Sequence, residues 1–96
     1  MSETAGQVAE TEVTICNKLG MHARAATRFV TAASEFQADI QVIREDREVN
    51  GKSIMGLMML AASPGSVIRI RARGSDAEAA VTRLQRLVEN RFDESE

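Results

Sequence analysis

Hydrophobic residues recur along this chain with two periods, and the changes between them mark its elements. Val13 and Ile15 alternate with Thr14 and Cys16, the two-residue period of a half-buried strand. Asn17-Lys18-Leu19-Gly20 interrupts it. From His22 the period becomes helical, with Ala26, Phe29, Val30, Ala33 and Phe36 at steps of three and four. A second strand is predicted over residues 39–44, with Ile40 and Val42 on one face. A polar turn at Glu45-Asp46, a short return strand over 47–49 and a turn at Asn50-Gly51 follow. Ser53 is placed to cap a short helix running to about Ala61, which Ser63-Pro64-Gly65 stops. Over residues 66–73, Ile68, Ile70 and Ala72 alternate with Arg69, Arg71 and Arg73, so one strand face is apolar and the other charged. Ser75 with Glu78 fits a capping box, and Ala77, Ala80, Val81, Leu84, Leu87 and Val88 form a helical stripe to about Arg91.

The predicted order is β-α-β-β-α-β-α, and the charged row at 69–73 forbids helices on both sides of its sheet. The expected class is α+β, an open-faced sandwich whose four-stranded antiparallel sheet carries three helices on one face. Residues 1–10 lack periodicity and are expected to be a flexible lead, 11–92 the single domain, and 93–96 an acidic tail.

Composition narrows the function. Aromatic residues are 3% of the chain, so the core is expected to be built from Val, Ile, Leu, Met and Ala. Twelve Lys and Arg against 14 Asp and Glu give a formal charge of −2. Setting aside Glu3, Glu10, Asp93, Glu94 and Glu96 leaves 12 bases against 9 acids, a body of +3 between acidic ends. Neither charge nor aromatic content suits nucleic acid. One Cys excludes an internal disulfide, and one Cys with one His is a poor start for a metal site. No apolar run approaches the ~20 residues of a membrane span, and the N-terminus lacks the basic and apolar regions of a signal peptide, so a cytoplasmic location is expected.

The lone histidine draws attention. His22 falls where the strand–turn–helix pattern starts its helix, and the first amides of a helix lack internal partners and favour anions. Arg24 lies in the first turn, Arg28 one turn on, and Lys18 just before; with Lys52 these cations are expected to gather near His22. An imidazole nucleophile, free amides and a guanidinium together suit a phosphoryl group carried on nitrogen. The bland alternative is an exposed histidine with no role. An independent hydrolase is disfavoured, because no acid stands near His22 in sequence to pair with it. Cys16 has no second histidine to activate it and is expected to be an ordinary strand residue. Gly51-Lys52-Ser53 looks like the end of a nucleotide-binding loop, but that motif needs Gly where Asp46 stands.

The segment Asn17-Lys18-Leu19-Gly20-Met21-His22-Ala23-Arg24-Ala25-Ala26 closely resembles the active-site segment of the HPr family, the histidine phosphocarriers of the bacterial phosphoenolpyruvate-dependent phosphotransferase system. Asn50-Gly51-Lys52-Ser53-Ile54-Met55-Gly56-Leu57-Met58 is similar to the family's regulatory-serine region, 31 residues from His22 to Ser53. The resemblance covers residues 11–92. It implies that His22 accepts a phosphoryl group on Nδ1 from phospho-enzyme I and passes it to an enzyme IIA protein, with Arg24 positioning the phosphate. It implies a cofactor-free, monomeric relay that turns over no small molecule alone. Ser53 would be open to HPr kinase/phosphorylase, although as an N-cap it has a sufficient structural reason to be there. Thr27, Arg28 and Thr31 with Ile54, Met55 and Met58 would form the docking face, while Leu57 and Leu60 are expected in the core. Ala25 stands where the family usually has Pro, as in some members of its nitrogen-related branch, NPr; Asn90-Arg91-Phe92-Asp93-Glu94 also looks like that branch. The alternative is an interaction protein of the same fold, acting by docking through its Met-rich face.

Overall fold

A computed structural model of the protein describes residues 7–94. Strand β1 (Val8–Thr14) leads through a turn into helix α1 (Ala23–Ala33), then β2 (Asp39–Arg44), β3 (Arg47–Asn50), α2 (Ile54–Met59), β4 (Val67–Arg73) and α3 (Ala77–Glu89). A single turn over Arg91–Asp93 follows. The four strands form one antiparallel sheet in the order β1-β4-β2-β3. The three helices cover one face, as the charged row in β4 requires.

Register explains the row. Glu10 stands opposite Arg71 and Glu12 opposite Arg69, while Thr11 and Val13 oppose Ile70 and Ile68 on the covered face. Glu10 reaches Arg69 at 3.3 Å and Arg71 at 3.0 Å, and the hydrogen bond from Arg71 leads the interactions that hold its carboxyl below the usual range. Such exposed pairs contribute little stability; their value is in fixing which face is wet.

The core lies between sheet and helices. Ala25, Ala26, Phe29, Ala32 and Ala33 of α1 are buried, as are Leu84, Leu87 and Val88 of α3. It is mostly aliphatic, but Phe29 and Phe92 are its largest fully buried side chains and Met21 is its only buried methionine, so aromatics anchor it more than composition suggested.

Boundaries differ from the expected ones in four places. β1 begins at Val8, because residues 8–10 pair with 71–73 of β4; the rest of the expected lead, residues 1–6, lies outside the described residues. Likewise the expected tail is structured at Asp93 and Glu94, and residues 95–96 fall outside. α2 ends at Met59, since Ala61 takes a left-handed φ of 53°. α3 is capped at Asp76, so the Ser75–Glu78 capping box does not form. The Asp76 carboxylate instead accepts the backbone N–H groups of Gln37 and Ala38 at 2.8 and 2.9 Å, tying the start of α3 to the entry of β2.

Candidate functional site

The turn between β1 and α1 is held from two sides. Gly20 adopts φ 68°, and a Cβ there would meet the Ala62 carbonyl oxygen at 2.6 Å, so only glycine lets the turn pass this close to the end of α2. The Met21 N–H then donates to that same carbonyl at 2.9 Å. His22 follows in extended conformation as the N-cap of α1.

Its ring plays the part usually taken by Ser or Asp. The Arg24 N–H donates to His22 Nδ1 at 3.2 Å. Because an amide can only donate, Nδ1 carries a lone pair, and the proton of the neutral ring sits on Nε2. Nε2 faces Glu94 Oε2 at 2.7 Å. The nucleophilic nitrogen is thereby aimed at the amide-rich start of the helix, where the dipole also favours an anion. Ala25 is buried and helical in the position next to Arg24, so its replacement of the usual Pro removes no functional group. The Arg24 side chain is exposed at the mouth of this site.

Glu94 is the acid that sequence proximity could not reveal, 72 residues from its partner. Asn17, fully buried, donates through Nδ2 to Glu94 Oε1 at 3.0 Å and to the Gly20 carbonyl at 2.8 Å. Its Oδ1 is buried without a partner among the described residues. Arg28 lies near the site, where its charge acts on Glu94; its Nη1 donates to the Phe92 carbonyl at 2.6 Å and braces the C-terminal turn. Burial pushes the Glu94 carboxyl up, but the hydrogen bonds from Asn17 and His22 and the charges of His22 and Arg28 together hold it below the ordinary range. The turn that delivers Glu94 is strained: Arg91, Phe92 and Asp93 have φ of 56°, 54° and 64°. Each such non-glycine residue costs about 1–2 kcal/mol, offset here by burial of Phe92 and by the Asn90 side chain donating to Asp93 at 2.8 Å.

Lys52 does not join the cations near His22. Its ammonium donates to the Phe36 carbonyl, past the C-terminal end of α1. Since the end of α2 meets the turn before α1, the two helices run antiparallel, and Ser53, at the start of α2, stands at the opposite end of α2 from the turn that carries His22. The Ser53 Oγ accepts the Gly56 N–H at 3.0 Å, a cap worth about 1 kcal/mol.

Between these ends lies a surface. Thr27 and Thr31 are exposed on α1, each hydroxyl donating to the carbonyl four residues earlier, which turns the methyls outward. Ile54, Met55 and Met58 are exposed on α2, Met55 at 74%, while Leu57 and Leu60 are fully buried. Two further apolar residues are exposed, Met59 of α2 and Leu19 at 68% in the turn before His22; periodicity has no signal for a lone leucine in a turn. The Cys16 thiol contacts the carbonyls of Val88 and Glu89 at the end of α3, so no Cys–His pair forms.

Known proteins share this sequence and fold. The family model described as the PTS HPr component phosphorylation site matches residues 9–90. The phosphocarrier protein HPr of Xylella fastidiosa strain Temecula1 is 52% identical over 85 residues, covering 88% of this chain and 96% of that protein. The phosphocarrier protein NPr of Shewanella violacea is 44% identical over 86 residues, covering 90% of this chain and 94% of its own length. Among solved structures, HPr from Thermoanaerobacter tengcongensis superposes with a TM-score of 0.88 at 43% identity, over 92% of this chain and 99% of that one. The chain therefore belongs to the HPr family, the phosphocarrier proteins of the phosphotransferase system.

Proposed function

We propose that Nδ1 of His22 is the atom that carries the phosphoryl group, received from phospho-enzyme I and delivered to an enzyme IIA protein. The observation that carries this reading is the ring orientation: the lone pair on Nδ1 is aimed at the start of α1 by Arg24 N–H, with Nε2 on Glu94. In the transfer, the Nδ1 lone pair forms the N–P bond as the bond between phosphorus and the donor atom breaks. The amides at the head of α1 then receive the phosphate oxygens, and the exposed Arg24 guanidinium supplies a positive charge that can follow the group in and out. Enzyme I and phosphoenolpyruvate should add one acid-labile phosphate per chain. Adding each candidate enzyme IIA, of the carbohydrate and of the nitrogen kind, then shows which receives it and thereby assigns the branch.

Arg24→Ala should slow transfer on the order of a hundredfold, the scale of losing one charge-stabilising donor, with an unchanged circular dichroism spectrum. Unaltered transfer rates would refute the positioning role.

The face bearing Thr27, Thr31, Ile54, Met55 and Met58 serves as the docking surface in this reading. Its flexible methionines fit successive partners of different shape. Ser53 borders that face and is proposed as a regulatory site for a kinase of the HPr kinase/phosphorylase kind. A phosphate there sits at a helix start, which tolerates it, so its effect falls on the partner. Ser53→Asp should weaken enzyme I binding by about tenfold in calorimetry, and an unchanged affinity would count against the switch.

A further inference from the structure

We infer that Glu94 is a positioning residue for phosphoryl transfer, holding the proton of His22 on Nε2 before transfer and keeping it there while Nδ1 carries the phosphate. The assignment rests on His22 as the carrier but concerns a residue that lies beyond the segment matched by the family model, residues 9–90.

Three independent features converge on the contact. The carboxylate meets Nε2 at 2.7 Å, while the opposite ring nitrogen is held by an amide that can only donate. Its second oxygen is bound by Asn17, a side chain fully buried in the turn ahead of His22. And the chain adopts three consecutive left-handed residues immediately before Glu94, a conformation that would not persist unless the surroundings imposed it. The Phe92 side chain is buried and its carbonyl is clamped by Arg28 of α1, so the backbone that carries Glu94 is pinned to the same helix that His22 caps. The charged side chains acting on Glu94 are His22 and Arg28, both on that helix or its cap, with the neutral Asn17 between them and Lys18 next in the turn.

The chemistry follows from charge. When neutral His22 attacks through Nδ1 it keeps its Nε2 proton, so the phosphorylated ring is a cation. A carboxylate on Nε2–H balances that charge. It also keeps the ring ready to leave: breaking the N–P bond then releases neutral imidazole, whereas a ring stripped of its Nε2 proton would have to leave as an imidazolate anion. Glu94 thus works in both directions of the relay, raising the attacking power of Nδ1 and preserving the lability of the bond it forms.

The test uses the full chain and its Glu94→Gln variant, which keeps the size but removes the charge and replaces one of the two acceptor oxygens by a donor. Nitrogen-15 NMR of the unphosphorylated ring reads the tautomer directly. The wild type should be dominated by the Nε2–H form, and the variant should show a mixed population. For the phosphorylated chains, the pH profile of phosphate transfer to enzyme IIA should move to lower pH in the variant. At neutral pH the rate should fall about tenfold, the scale of losing one opposite charge beside the reacting ring. A merely structural Glu94 would alter thermal stability and leave the tautomer and the profile in place, and that result overturns the inference. The tautomer measurement needs no phosphorylation. If the wild type takes up no phosphate, the carrier reading falls and the role in transfer falls with it, whereas a normal carrier with identical profiles in both chains removes Glu94 alone.

Discussion

A chain carrying His22→Ala is expected to take up no acid-labile phosphate from phospho-enzyme I, while its circular dichroism spectrum should remain that of the folded protein. The loss is complete because the chain holds a single histidine, so no second imidazole can substitute. The fold survives because the substitution removes a half-buried side chain and one N-cap. That cap is worth about 1 kcal/mol, which lowers the thermal midpoint by about 4–8 °C in a domain of this size. Measurement with radiolabelled phosphoenolpyruvate decides the matter, and label retained by the variant would move the carrier to another residue.

Phe92→Ala is the substitution expected to harm the fold most among those near the site. Phe92 is fully buried, and removing such a ring costs about 3–5 kcal/mol. For a domain of roughly one hundred residues this lowers the melting temperature by more than ten degrees. The same change unseats the turn that presents Glu94, so loss of stability and loss of the His22–Glu94 contact should appear together. A melting curve that shifts by only a degree or two would show that the C-terminal turn is dispensable to the core.

That turn also marks where sequence reading ran out. The strands at 39–44 and 66–73, the cap at Ser53 and the position of His22 at a helix start were legible, because each follows from a local period or a local cap. The Arg row of β4 even dictated which sheet face stays bare. What was not legible depended on pairs distant in the chain. Residues 8–10 contain no strong alternation, and only the pairing of Glu10 with Arg71 and Ala9 with Ala72 makes them a strand. Glu94 read as one more acid in a polar end. Its meaning comes from a left-handed turn that no propensity predicts in Arg-Phe-Asp, and from an asparagine 77 residues away along the chain. Arg28 was placed near His22 by helix spacing and does lie there, with its guanidinium bracing a carbonyl; Lys52 was counted with it, but its ammonium belongs to the opposite end of α1. Ser75 and Glu78 had the right spacing for a box, but the helix starts one residue later.

The antiparallel course of α1 and α2 bears on how many messages the molecule can hold. On the proposed roles of His22 and Ser53, two phosphates would stand at two different helix starts, at opposite ends of α2. Any antagonism between them would then be read by a partner large enough to span both helix starts.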